Sequence, residues 1–191
     1  GAPFQYHDGI QTTSLNVSLG FDYHSKGLEV YGGVSGDYRS YWREGYFQNG
    51  NYPEHSYGKG SPQIFKTSSL KGGINYAFTG RHYLSLQAQW FQSPPAYKNV
   101  YINPRENEFT IPESTFETDK QLVISYLWQG QSLELKAKGY TIQRNNIQEV
   151  SSYFADGIGG DSALFVQEIT QGVDFFHMGI EGSFDWEILP E

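Results

Sequence analysis

Apolar and polar side chains alternate along most of this chain with a period of two. In residues 14–24, Leu15, Val17, Leu19, Phe21 and Tyr23 fall on one side, and Ser14, Asn16, Ser18, Gly20, Asp22 and His24 fall on the other. Successive side chains of a strand point to opposite faces, so this spacing predicts a strand with one apolar face. Residues 28–42 repeat it, with Leu28, Val30, Gly32, Val34, Gly36, Tyr38 and Trp42 against Glu29, Tyr31, Ser35, Asp37, Arg39 and Tyr41. The same reading predicts strands over 70–78 (Leu70, Ile74, Tyr76, Phe78), 83–92 (Leu84, Leu86, Ala88, Trp90) and 133–143 (Leu133, Leu135, Ala137). It also predicts strands over 121–128 (Leu122, Ile124, Tyr126, Trp128) and 173–186 (Phe176, Met178, Ile180, Phe184, Trp186). The other face of 121–128 holds Val123 and Leu127 beside Gln121 and Ser125, so its polarity is ambiguous. No segment has helical spacing over a useful length.

The connections between these strands alternate in length. Short ones lie at Ser25–Gly27, Thr79–His82 and Gln129–Ser132; long polar ones cover 43–69, 93–120 and 144–172. Long structureless loops of this kind are uncommon in compact soluble domains. In a transmembrane β-barrel they are expected, because turns are short on one side of the membrane and loops long on the other. Tyr23, Phe78, Trp128, Phe184 and Trp186 fall near the short turns, and Tyr38, Trp42, Trp90 and Tyr140 near the long loops. Amphipathic rings settle at the two membrane–water interfaces, so this placement fits a pair of aromatic girdles. The fold class that follows is all-β: a segment of antiparallel transmembrane β-barrel with about seven long strands. Leu15, Val17, Leu19, Phe21, Val30, Val34, Ile74, Leu84, Leu86, Ile124, Leu135, Phe176, Met178 and Ile180 are expected to face lipid. Asn16, Asp22, Glu29, Asp37, Arg39, Gln87, Glu134, Lys136 and Glu181 are expected to face the lumen. A soluble β-sandwich, in which the apolar set is a core between two sheets, is the competing fold.

Composition narrows the function classes. Aromatics make up 17% of the 191 residues and glycine contributes 22, a mixture suited to strands, tight turns and bends. The formal net charge of −8 opposes a nucleic-acid partner, which needs clustered Lys and Arg. The lack of cysteine excludes disulfides, thiolate metal sites and cysteine nucleophiles. No apolar run is long enough for a transmembrane helix, which leaves membrane strands open, since their alternation averages out in hydropathy.

Three stretches carry a resemblance. Leu70-Lys71-Gly72-Gly73-Ile74-Asn75-Tyr76-Ala77-Phe78, then Gly80-Arg81-His82-Tyr83-Leu84, then Ser93-Pro94-Pro95-Ala96-Tyr97-Lys98-Asn99-Val100-Tyr101 form a strand, a short turn, an apolar strand and a Pro-containing loop opening. This sequence resembles the barrels of TonB-dependent outer-membrane receptors, particularly those of the Bacteroidetes type, most clearly over residues 70–143. The resemblance implies a bacterial outer-membrane location and active uptake of a small nutrient ligand (a sugar, a peptide or a metal chelate). It also implies an N-terminal plug that contacts a TonB-type energy-coupling protein. Seven strands do not close a plugged barrel of about 22 strands, and Ile188-Leu189-Pro190-Glu191 lacks a terminal aromatic. Residues 1–191 are therefore expected to be part of a longer barrel whose plug and remaining strands lie elsewhere. Two other functions remain open: a passive or small interaction-type outer-membrane barrel, and a secreted glycan-binding sandwich.

Candidate chemistry is sparse, and the expectation is a protein without catalysis or cofactor. His7, His24, His55, His82 and His177 show no metal-binding spacing along the chain and read as solvated turn residues. Asp156-Gly157-Ile158-Gly159-Gly160-Asp161 lacks the alternating oxygen ligands of a calcium loop. Gly58-Lys59-Gly60-Ser61 lacks P-loop spacing, and Glu106 and Glu108 have no setting that would tune a carboxylate. The loops are richer for binding, because aromatic faces with amide and guanidinium donors suit sugars, peptides and chelates. Trp42, Arg43, Tyr46, Tyr52, Tyr97 and Arg105 are the expected ligand contacts.

Overall fold

The computed structural model describes residues 7–48, 50, 52–103, 106–114, 116–155 and 164–187. The alternating segments all become strands, and most run further than the alternation does. They are β1 (Asp8–Ser25), β2 (Leu28–Tyr46), a short β3 (Tyr57–Lys59), β4 (Gln63–Thr79), β5 (His82–Ser93), β6 (Glu117–Gln129), β7 (Leu133–Ala155) and β8 (Leu164–Trp186). Every pairing is antiparallel, in the order β1-β2-β4-β5-β6-β7-β8, with β3 added to the loop end of β2. The described residues hold one 3-10 turn, Tyr97–Asn99, and no helix long and apolar enough to cross a membrane.

Register carries the face assignment across the whole sheet, since directly paired residues share a face. One row runs Tyr23, Val30, Ile74, Leu86, Ile124, Gly139 and Ile180, with its neighbour Phe21, Gly32, Gly72, Ala88, Leu122, Thr141 and Met178. Between them on the other face runs Asp22, Tyr31, Gly73, Gln87, Val123, Tyr140 and Gly179, flanked by His24, Glu29, Asn75, Ser85, Ser125, Lys138 and Glu181. Each residue expected on the apolar face lies in an apolar row, and each expected on the polar face lies in a polar one. The ambiguous β6 resolves the same way: Leu122, Ile124, Tyr126 and Trp128 join the apolar face, while Val123 and Leu127 sit on the polar one.

The sheet curves so that the polar face is concave. His24 and Glu29 at one side and Lys138 and Glu181 at the other line a single hollow of about 1050 Å³. The apolar face is convex and uncovered: Leu19 is 75% exposed, Met178 69% and Ile180 90%. No second sheet packs on it among the described residues, which removes the sandwich. The buried apolar residues are instead a small group, Tyr41, Phe65, Val100, Tyr101, Ile102 and Ile111, at the loop end of the concave face.

Two local features explain how the strands turn and pack. Lys26 and Gly27 take φ of 41° and 84°, the left-handed pair that a two-residue hairpin turn requires. Across the sheet, ring faces cover glycines: a Cβ at Gly73 would stand 2.5 Å from the Tyr31 ring, and one at Gly179 would stand 2.5 Å from Tyr140. Each glycine faces its tyrosine directly in register, and its missing side chain gives the ring room to lie flat along the wall.

The connections differ from expectation in one respect. The stretch 144–172 is mostly strand, because β7 continues to Ala155 and β8 begins at Leu164. The register shifts near Ile147, where Asn146 has φ 59° and Gly172 has φ 72°. These bulges, together with an upper hairpin that mixes apolar and polar residues on both faces, erase the alternation that marks a strand in sequence. Likewise 43–69 contracts to a loop between Tyr46 and Gln63 that contains β3. The Asp156–Asp161 segment and the last residues, Ile188–Glu191, lie outside the described residues.

Gly73→Val is expected to destabilise by about 1–3 kcal/mol, because Tyr31 must leave its place. Gly36→Val, on the convex face with nothing within 4 Å of its Cβ position, is expected to be near neutral. Urea unfolding of the two variants in detergent measures the difference.

Candidate ligand-binding site

The loop end of the concave face is closed by the connection between β5 and β6, which tucks inward over the polar wall. Its apolar residues explain the direction. Val100, fully buried, and Tyr101 pack on Tyr41 of β2 and Phe65 of β4, with Ile10 of β1 alongside. Tyr41 and Phe65 have the parity of Asp37 and Thr67, so they project into the concavity and give the loop an apolar seat. The Tyr101 hydroxyl donates to the Tyr41 carbonyl at 3.1 Å. Burial pushes the Tyr101 phenol above its usual pKa, against the opposing pull of the Arg43 charge beside it.

Polar contacts fasten this loop to both sides of the wall. Arg43, 6% exposed, pairs through Nε with the Asp8 carboxylate and donates from Nη1 to the carbonyls of Asn103 at 2.7 Å and Glu106 at 3.2 Å. Asn107 donates to the carbonyls of Gly58 at 2.9 Å and Tyr57 at 3.3 Å, and its own N–H reaches the His55 carbonyl. On the far side Asn99 donates to the Gln148 carbonyl at 2.7 Å, and Gln148 donates back to the Asn99 carbonyl. Gln167 of β8 donates to the Ile102 carbonyl at 2.7 Å. One loop thus holds β2 and β3 at one side and β7 and β8 at the other.

The expected ligand contacts are divided by this geometry. Trp42 and Tyr46 share the parity of Val30 and Val34 and stand on the convex side above the apolar band. Lys59 Nζ lies 4.4 Å from the Trp42 ring centre, and His7 meets Tyr46 edge-on at 5.3 Å. Arg43, of the opposite parity, points inward, where it fixes the loop. Tyr52 is half-buried in the β2–β3 connection, and Tyr97 is 53% exposed on the tucked loop. Arg105 lies outside the described residues. Spacing along the chain brought these residues to attention; strand parity separates them.

Sequence reasoning placed Tyr140 in an aromatic girdle, but register puts it on the concave wall, in a group that the spacing did not reveal. Tyr140 Oη lies 3.2 Å from His177 Nε2, Phe175 stacks on the His177 ring at 6.2 Å, and Lys138 Nζ is 5.3 Å from the Tyr140 ring centre. The signal was present as aromatic residues at polar-face positions of two strands read as neighbours. Arg144 holds Asp119 at 2.7 Å above them, and Lys138 holds Glu181 at 3.4 Å below. Ring faces beside fixed charges offer stacking and hydrogen bonding to a small polar ligand.

Arg43→Ala is expected to cost about 3 kcal/mol, since it leaves the Asp8 carboxylate and two loop carbonyls without their donor. Proteolysis should then cut residues 94–114 faster while the strands stay protected; equal rates in both proteins would remove Arg43 from this role.

No family model matches the sequence, and no curated protein matches it. Nine solved chains match by structure. One of them, the copper transporter OprC, superposes with a TM-score of 0.69 at 15% sequence identity. The match covers 94% of this chain and 27% of the transporter, so the present chain spans about a quarter of that protein's length. At this identity the likeness is one of fold: an antiparallel, barrel-like wall.

Proposed function

We propose that this chain is part of the wall of a bacterial outer-membrane barrel that takes up a small nutrient ligand, in the manner of a TonB-dependent receptor. The observation that carries the reading is the division of one curved sheet into an uncovered apolar convex face and a polar concave face. Such a surface suits strands whose outer side chains meet lipid and whose inner ones meet water. The apolar stretch of β8 from Phe176 to Trp186 runs roughly 34 Å at strand rise. With the usual tilt that is close to an apolar band of about 25 Å.

The inward loop and the resemblance at residues 70–101 support uptake through a guarded lumen. Ligand contact is assigned to Tyr52, to Tyr97 and Arg105 in the connection between β5 and β6, and to the His177–Tyr140 patch, with Arg43 fixing that connection; Trp42 and Tyr46 stand on the other side of the wall. Sugars, peptides and metal chelates all fit rings flanked by charges. The structural neighbour is by name a copper transporter, which puts a metal species among the cargoes worth testing. The reading involves no catalytic step. Coupling to a TonB-type protein is part of this proposal.

Two experiments test it. Ile180→Lys should destabilise the full-length protein refolded into phospholipid bilayers by about 2–4 kcal/mol, while Glu181→Gln, on the concave side, should change stability little. Equal effects would mean that the convex face does not meet lipid. Uptake by cells carrying the full-length protein should stop when the coupling protein is deleted; uptake that persists would identify a passive channel. Truncating Tyr97 or His177 to Ala should weaken binding gradually, by about 1–2 kcal/mol each. Loss of binding by neither variant would move the site elsewhere.

A further inference from the structure

At the end of the concavity opposite the loops, three metal-binding side chains converge. Asp22 and His24 of β1 and Glu29 of β2 each offer one ligand atom, and these atoms lie within 4.8 Å of one another. The hairpin dictates the convergence. Period two places residues 22 and 24 on one face, and the left-handed pair Lys26–Gly27 closes the turn so that His24 stands directly opposite Glu29. His24 Nε2 is 3.3 Å from Asp22 Oδ1. Asn75, the register partner of Glu29 on β4, donates to Glu29 Oε2 at 2.8 Å and holds that carboxylate in place. Among the described residues no Lys or Arg nitrogen lies within 4.0 Å of either carboxylate. Two carboxylates facing an imidazole, with no ammonium or guanidinium between them, leave a negative pocket that a cation would fill.

The geometry points to Asp22, His24 and Glu29 as a binding site for a divalent transition-metal ion on the lumenal wall. One imidazole nitrogen with two carboxylate oxygens is a mixed donor set of the kind that holds Zn²⁺ and Cu²⁺, harder than a thiolate site and softer than an all-oxygen calcium site. Ligand atoms about 2.0–2.2 Å from a tetrahedral ion stand roughly 3.3 Å apart. The His24–Asp22 pair already has that spacing, and small rotations of exposed side chains bring in Glu29. Three protein ligands leave a coordination position open, and His24 and Glu29 both line the large hollow of the concave face. The bound ion is therefore open to water or to a donor from a molecule in the lumen, as in sites that keep an exchangeable position. Asn75 acts as a positioning residue behind Glu29. The site stands on the hairpin geometry and holds whether or not the barrel imports a ligand.

The test uses the full-length protein purified in detergent. Zn²⁺ is titrated by equilibrium dialysis, and Cu²⁺ coordination is read by electron paramagnetic resonance. The wild type should bind an ion whose spectrum carries the splitting of one imidazole nitrogen. His24→Ala should abolish that splitting, and Glu29→Gln, nearly isosteric, should weaken Zn²⁺ binding at least tenfold. Asn75→Ala should weaken it about tenfold, as loss of an outer partner does. His82→Ala, which removes an imidazole on the opposite face of the sheet, should leave the splitting and the affinity unchanged. Strand content from circular dichroism verifies that each variant is folded, and Glu29→Gln serves if His24→Ala is not. Equal Zn²⁺ binding by the wild type and folded Glu29→Gln, or nitrogen splitting that survives in His24→Ala or disappears in His82→Ala, would overturn the assignment.

Discussion

The backbone ladder that runs from β1 to β8 is the constraint on which the rest of this molecule depends. Each strand is paired on the side that faces its neighbour, and over long stretches the register slips nowhere. A slip by one residue would move every side chain to the opposite face. Leu19, Phe21 and Tyr23 would then enter the concavity, and Asp22 and His24 would stand on the apolar side. The period-two alternation, the tight turn at Lys26–Gly27 and the ring-over-glycine contacts at Gly73 and Gly179 each oppose such a slip. They do so by different physics: solvation, backbone conformation and shape.

What was legible in the sequence follows from this. Alternation marks a strand only where its two faces meet different surroundings. It was therefore clear from Leu15 to Tyr23 and from Phe176 to Trp186, and it faded where both faces mix apolar and polar residues. That is why the ends of β2 and β7 read as loop, and why the bulge at Asn146 concealed the upper part of the β7–β8 hairpin. One signal in the supposed loop was available: Val100, Tyr101, Ile102 and Ile111 are too apolar for a solvated connection, and they form its buried seat.

The candidate site was less legible, because its residues meet across strands and not along them. Arg43 looked like a ligand contact in a run of aromatic loop residues. Its partners are Asp8, Asn103 and Glu106, up to 63 residues away, and no local spacing reveals them. Trp42 and Arg43 are adjacent in sequence and point to opposite sides of the wall. His24 lacked any metal-ligand spacing in the linear chain, yet the hairpin sets Glu29 against it. Pairing had to be known before the chemistry could be read.

The inward loop bears on the order of assembly. Hairpins such as β1–β2 and β6–β7 join residues close in sequence and close little entropy-costly loop when they form. The bonds from Asn99 to Gln148 and from Gln167 to Ile102 join positions 49 and 65 residues apart, and they need β7 and β8 already standing. The wall can therefore zip up hairpin by hairpin, and the rim is latched last. Until that happens the loop end of the concave face stays uncovered, so the latch is the step that covers it.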